Sequence, residues 1–155
     1  MKKICFTAST GGHFEQLMML KPLMDKYDSF IVTEKTGYSV IKDNRKIYYL
    51  NQVNRHEKTF VFKMITNAFK SFKIFLREKP DVIISTGALA TIPMCLFAKI
   101  LKKKIIFIES FAKVTSPTLT GKLVYKFADQ FYVQWEQMKE HYPNAIYKGG
   151  IYWFL

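Results

Sequence analysis

Residues 3–13 read Lys3-Ile4-Cys5-Phe6-Thr7-Ala8-Ser9-Thr10-Gly11-Gly12-His13. A short apolar run closed by a Ser-Thr-Gly-Gly turn is the pattern of a buried strand entering a tight turn. Phe14, Leu17, Met18, Leu20, Leu23 and Met24 then form one broad apolar face, which predicts a helix over residues 14–26. The rhythm returns downstream. After Asp81, Val82-Ile83-Ile84 is a continuous β-branched run, Ser85-Thr86-Gly87 turns it, and a helix is expected over residues 89–101. Between the two units lie strands at 30–32 and 46–50 and a long helix at 58–78, ended at Lys79-Pro80 because the residue before proline avoids the α region. Beyond them lie a strand at 104–108 ending on Glu109-Ser110, a helix at 119–127, a strand at 130–133, a short helix at 136–141 and a strand at 145–147. Short strands alternating with helices are βαβ units, whose crossovers cover both faces of a parallel sheet. The expected fold is α/β, a single Rossmann-like doubly wound parallel sheet over residues 1–150, with residues 151–155 as an apolar C-terminal tail.

Composition narrows the classes. A chain of 155 residues suits one core, and 49% hydrophobic against 23% charged residues is far from the composition of disorder. Cys5 and Cys95 sit singly inside apolar runs, so neither a disulfide scaffold nor a zinc site is expected, and no metal site is assigned. Met1-Lys2-Lys3 is followed by too few apolar residues for a signal peptide, and the longest uncharged run, residues 82–98, contains Gly87 and Pro93 and is shorter than the ~20 residues a spanning helix needs. The net charge of +12 calls for an anionic partner: nucleic acid, lipid headgroups or a phosphorylated small molecule.

Three strand ends carry the candidate chemistry. Ser9, Thr10, Gly11 and Gly12 lie at the carboxyl end of the first strand, where glycines let a ligand approach the backbone and N–H groups at a helix start favour phosphate; the same turn also occurs without a ligand. His13 at the first helical turn suits a general base, a hydrogen-bond donor or an uncharged local cap. Thr86 and Gly87 follow the strand at 81–84, and Glu109 and Ser110 follow the strand at 104–108. In a doubly wound sheet these ends share one edge, so one cleft can gather them. Glu109, an acid ending an apolar strand, can bind sugar hydroxyls, orient His13 or cap its loop. Neither a complete G-x-G-x-x-G, nor a Walker pattern, nor a nucleophile triad is present.

The helix at 58–78 carries more apolar surface than a sheet needs: Phe60, Val61, Phe62, Met64, Ile65, Ala68, Phe69, Phe72, Phe75 and Leu76 cover over half its circumference, beside Lys63, Lys70, Lys73 and Arg77. Either the helix is deeply packed with a solvated lysine face, or Phe69, Phe72, Lys70, Lys73 and Arg77 meet an anionic bilayer surface. The tail, Ile151, Tyr152, Trp153, Phe154 and Leu155, either docks on a partner or folds back on its own domain.

The ordered set Ser9-Thr10-Gly11-Gly12-His13, Pro80 through Gly87 and Ile108-Glu109-Ser110 resembles the acceptor-side subunit of two-chain glycosyltransferases: the membrane subunit of the N-acetylglucosaminyltransferase that extends dolichol-linked glycans, and its bacterial capsule and exopolysaccharide relatives. It is similar, more distantly, to the N-terminal half of the peptidoglycan transferase that makes lipid II. The resemblance covers essentially the whole chain. It implies a GT-B architecture split between polypeptides, with this chain holding a lipid-diphosphate-linked glycan acceptor and a separate small subunit binding the UDP-sugar co-substrate; no resident cofactor is implied. By resemblance the glycine turn with Thr86, Gly87 and Ser110 faces the acceptor diphosphate, His13 and Glu109 are the catalytic candidates, the basic aromatic helix touches the membrane surface and residues 151–155 grip the partner. The eukaryotic subunits carry an N-terminal membrane anchor not seen at the start of this sequence, so a bacterial chain bound peripherally at the cytoplasmic face is expected, inactive or nearly so alone. The competing expectations are a non-catalytic Rossmann-like nucleotide or nucleic-acid binding module, for which no nucleic-acid motif speaks, and a purely structural activator of a glycosyltransferase.

Overall fold

A computed structural model describes residues 1–36 and 44–153. Seven parallel strands form one sheet: β1 (Lys3–Ala8), β2 (Asp28–Glu34), β3 (Ile47–Leu50), β4 (Val82–Ser85), β5 (Lys104–Ile108), β6 (Gln130–Val133) and β7 (Ile146–Tyr147), in the order β3-β2-β1-β4-β5-β6-β7. This is the Rossmann-like doubly wound order, and the chain reverses direction across the sheet between β1 and β4. Helices α1 (Gly12–Met18) and α2 (Lys21–Lys26) pack Leu17 and Met24 on one face, against Ile4, Phe6, Ile31, Val82 and Ile84. Helices α3 (Phe60–Glu78), α4 (Ile92–Ile100) and α5 (Leu119–Val124) cover the other, around Cys5, Phe30, Ile83, Met94, Ile105, Phe107 and Phe131.

Local chemistry shifts several boundaries from their expected positions. The single helix expected at 14–26 is two, because Pro22 stands in the first turn of α2, where its missing N–H is harmless; inside one continuous helix it would remove a hydrogen bond and clash with the preceding turn. Pro93 likewise sits at the start of α4, after a 3₁₀ turn at Leu89–Thr91. Helix α3 starts at Phe60 rather than 58 and ends with Lys79 in the left-handed region at φ 48°, next to Pro80. The short helix expected at 136–141 is present as a 3₁₀ helix at Glu136–Glu140, and α5 stops at Val124 instead of 127.

Helix α3 is packed the opposite way from its composition. Its buried stripe is Asn67, Ser71, Ile74, Phe75 and Glu78, while Phe62 and Phe69 are 72% and 66% exposed, and Val61, Ile65, Phe72 and Leu76 are exposed beside them. Two of the inward polar groups, Asn67 and Glu78, have partners, while the buried Ser71 hydroxyl has none among the described residues. Asn67 donates to the Asn51 carbonyl at 2.9 Å and accepts the Asn51 N–H at 2.8 Å. Glu78 accepts from Lys3 at 2.5 Å, from Lys46 at 3.4 Å and from the Tyr48 hydroxyl. At about 100° per residue the exposed apolar side chains span an arc of about 100°, bordered along one side by Lys73, Arg77, Lys70 and Lys63. Each large side chain left in water forgoes about 1.5–3 kcal/mol of burial, so the stripe costs the isolated fold stability that a covering surface would restore. Lys70 is partly drawn inward, its ammonium 2.9 Å from Asn51 Oδ1. Leu96, Ile100 and Leu101 on and after α4, and Leu119 and Leu123 on α5, extend the exposed apolar surface, with Phe72 and Phe97 in ring contact at 5.2 Å.

Candidate active site at the carboxyl edge of the sheet

The turns after β1 and β4 meet at the reversal point. Ser9 N–H donates to the Gly87 carbonyl at 2.7 Å, and Ala88 N–H donates to the Ser9 hydroxyl at 3.2 Å. Gly11 (φ 70°) starts α1 from the left-handed region, which glycine enters without a Cβ penalty, and space is open around both Gly11 and Gly12. His13, on the first turn of α1, is held twice by Thr86: its Nδ1 lies 2.7 Å from the Thr86 carbonyl oxygen, and the Thr86 hydroxyl donates to the His13 carbonyl at 2.7 Å. A carbonyl only accepts, so Nδ1 carries the hydrogen and the neutral ring keeps its lone pair on Nε2. Gly87 (φ 91°) is required here by conformation, and a Cβ would also crowd His13, lying 3.1 Å from its Nδ1.

The other residues expected at this edge are present, with their polar groups largely consumed inside. Thr86 is fully buried and its hydroxyl serves His13 rather than a ligand. Thr10 uses both its N–H and its hydroxyl on Glu34 Oε2, at 3.2 and 3.3 Å. Ser110 is buried and its N–H donates to Glu109 Oε1 at 2.8 Å. Glu109 is 1% exposed; its oxygens accept from Ser110, from the Thr118 N–H and hydroxyl, and from the Tyr142 hydroxyl at 2.8 Å. Burial first, and the Glu109 charge second, push the Tyr142 hydroxyl well above the ordinary tyrosine range, which keeps it a donor. Thr118 in turn accepts the Gly121 N–H and caps α5, and a Cβ on Gly121 would lie 2.0 Å from Glu109 Oε2. Glu109 therefore organises the connection from β5 to α5. The group that orients His13 is Thr86.

Sequence reasoning missed three buried polar residues that brace this edge. Glu34 ends β2 as Glu109 ends β5, and ties Thr10 to the Val53 N–H at 2.8 Å. Gln16 accepts from the Phe111 N–H at 2.9 Å and from Gln134 Nε2 at 2.6 Å, while Gln134 accepts the Ile151 N–H at 2.9 Å. The available signal was an acid or amide at the end of an apolar run or inside an apolar helix face. The tail, in its described part, folds back on the domain: Tyr152 packs edge-on against Phe111 at 5.1 Å and Trp153 against Trp135 at 5.8 Å, with Trp153 still 52% exposed. Phe154 and Leu155 lie outside the described residues. Among the described residues no group of three His, Cys, Asp or Glu side chains is placed to hold a metal.

A family profile for Alg14-like oligosaccharide biosynthesis proteins matches residues 6–151. The human UDP-N-acetylglucosamine transferase subunit ALG14 is 26% identical over 96% of this chain and 82% of its own length. The Staphylococcus haemolyticus UDP-N-acetylglucosamine--N-acetylmuramyl-(pentapeptide) pyrophosphoryl-undecaprenol N-acetylglucosamine transferase is 29% identical over 93% of this chain, but this chain spans only 44% of that enzyme. The crystal structure of Acinetobacter baumannii MurG matches with a TM-score of 0.72 at 19% identity, over 88% of this chain and 43% of that one. At that identity the likeness is one of fold: the sheet and helices are those of one lobe of a two-lobed GT-B protein.

Proposed function

The chain belongs to the Alg14-like family of oligosaccharide biosynthesis proteins, and on that premise we propose that it is the acceptor-binding, membrane-recruiting subunit of a heteromeric inverting glycosyltransferase. The reaction transfers a sugar from a UDP-sugar to a lipid-diphosphate-linked saccharide, in capsular or exopolysaccharide assembly or in lipid-linked oligosaccharide synthesis. The observation that carries the reading is His13 at the reversal point of a single lobe, its Nδ1–H engaged by Thr86 and its Nε2 lone pair without a partner among the described residues. An imidazole so fixed is suited to accept the proton of an acceptor hydroxyl as that oxygen attacks the anomeric carbon of the donor. The UDP leaving group is stabilised by a second lobe, which in this reading is a separate small sugar-nucleotide-binding subunit. The UDP-sugar is a co-substrate bound mainly by that partner, and no resident cofactor or nucleic acid takes part.

Two surfaces support the assembly. The exposed apolar stripe of α3 with its cationic border has the character of an interfacial membrane helix. No described helix is long and apolar enough to cross a membrane, and the reading places the chain peripherally at the cytoplasmic face. On the opposite face of the sheet, Ile84, Ile106, Ile108 and Tyr132 floor a groove of about 410 Å³ walled by Leu20, Leu23 and residues 148–151. An apolar sheet face next to the C-terminal segment is suited to the partner subunit.

The test is reconstitution on vesicles carrying a lipid-diphosphate-linked saccharide, with and without the candidate partner. Transfer from the UDP-sugar that requires both chains supports the reading. Full-rate transfer by this chain alone, or none by the pair, overturns it.

A further inference from the structure

The site residues expected to hold the acceptor diphosphate, Ser9 to Gly12 with Thr86 and Ser110, contain no cation, and their side chains are mostly engaged internally. A different part of the same edge has what they lack. A cleft of about 700 Å³ opens between the connection from β3 to α3, residues 88–89 after β4, and the connection from β5 to α5. Arg55 and His56 enter it from the first connection and Lys113 from the third, and no Asp or Glu lines it.

We infer that this cleft is the diphosphate subsite, with Arg55 and Lys113 binding the diphosphate of an isoprenoid-type lipid carrier and His56 adding a further hydrogen bond. The inference rests on the acceptor-subunit reading and deepens it. Lys3, Lys46, Lys63 and Lys103 each meet a carboxylate, whereas Arg55 and Lys113 have no carboxylate partner among the described residues. The Arg55 Nε–H donates to His56 Nε2 at 3.3 Å, which draws the guanidinium and the imidazole to one place and leaves the other guanidinium donors available. Two cations on a concave wall without counter-charges focus a positive potential on it. A diphosphate esterified at both ends carries two negative charges, equal and opposite to the pair.

The surroundings select the rest of the ligand. Leu89 and Leu119 line the cleft, with Leu119 57% exposed, and the exposed stripe of α3 begins at Val61, five residues beyond His56. An apolar chain attached to the bound diphosphate thus meets apolar surface on leaving. At the other wall, Ala88 lines the cleft, and a Cβ added to the preceding Gly87 would lie 3.1 Å from His13 Nδ1, so a saccharide on the far phosphate starts near the proposed base. Head, chain and sugar each have a matching surface in the order the acceptor presents them.

The experiment uses the full chain and phosphatidylcholine vesicles doped with geranylgeranyl diphosphate, compared with vesicles carrying equal charge as phosphatidylglycerol. The wild type is expected to bind the diphosphate vesicles more tightly, with inorganic pyrophosphate competing. Arg55→Gln combined with Lys113→Gln should weaken binding to the diphosphate vesicles by ~10-fold or more and leave phosphatidylglycerol binding unchanged. Equal loss on both vesicles assigns the cations to headgroups in general and overturns the subsite, as does unchanged binding by a variant of unaltered thermal unfolding. The transferase assay separates the two levels. If the reconstituted pair transfers sugar and the double variant keeps its acceptor KM, the subsite fails and the subunit reading stands. If the variant loses diphosphate binding while the wild-type pair transfers nothing, the subsite stands and the subunit reading fails.

Discussion

His13 and Thr86 hold each other by two hydrogen bonds of 2.7 Å, one from imidazole Nδ1 to the Thr86 carbonyl and one from the Thr86 hydroxyl to the His13 carbonyl. Side chain and backbone of each residue are thereby fixed to the other across 73 positions of sequence. The pairing joins the turn after β1 to the turn after β4 at the point where a doubly wound sheet binds its ligands.

The first prediction concerns the ring itself. Nitrogen NMR of the neutral His13 should show a pyrrole-like Nδ1 and a pyridine-like Nε2, the reverse of the form free histidine favours; the opposite assignment would contradict the bond to Thr86. In the reconstituted pair, His13→Ala should lower turnover by ~100-fold or more. Thr86→Val, which keeps the carbonyl and loses the hydroxyl clamp, should lower kcat less. Gly87→Ala should damage the site through both its φ of 91° and the crowding of His13.

A second prediction separates folding from catalysis at Glu109. Removing its carboxylate orphans the buried donors of Thr118 and Tyr142, so Glu109→Ala should lose about 2–3 kcal/mol in urea unfolding. Gly121→Ala should also be destabilising, because its Cβ has no room beside Glu109 Oε2. If Glu109 instead faces substrate, its replacement will leave stability unchanged and act on turnover alone.

Acid sensitivity should trace to Glu78. Burial pushes its carboxyl up, but hydrogen bonds from Lys3 and then Tyr48, with the Lys3 charge, more than offset this and hold it at about 2. A carboxyl depressed by folding adds stability that is complete above its unfolded value of about 4.3 and is lost as pH falls towards its folded value. The wild type should therefore lose stability between about pH 4.3 and pH 2. Glu78→Gln, less stable near neutrality, should converge on the wild type across that window. Parallel denaturation curves at all pH values would exclude Glu78 as the source.

Membrane binding should depend on the outward face of α3. Phe69→Ser with Phe72→Ser should abolish flotation with anionic vesicles, and Lys73→Glu with Arg77→Glu should weaken it and flatten its dependence on salt. Lys70→Glu should do less, since its ammonium is engaged by Asn51. Flotation indifferent to all of these changes would return the stripe to another partner.

The sequence by itself determined the alternation of strands and helices, the glycine turns and the charge, because apolar runs and prolines act through local periodicity and fixed dihedrals. It placed β5 and β6 at the residues where they are found. It also put His13, Thr86 and Glu109 on one sheet edge, since every strand of a parallel sheet ends its carboxyl terminus on the same side. Which of these side chains faces outward was decided only by tertiary structure. Thr86 and Glu109 look like ligand-binding residues in the chain and are consumed by His13, Thr118 and Tyr142, all brought near by folding. The same holds for α3, whose composition promised an apolar inner face, yet whose buried side is set by Asn51, Lys3 and Tyr48 arriving from β1 and the β3 region. Burial of a polar group is favourable only when a distant partner satisfies it, and distance along the chain says nothing about that partner.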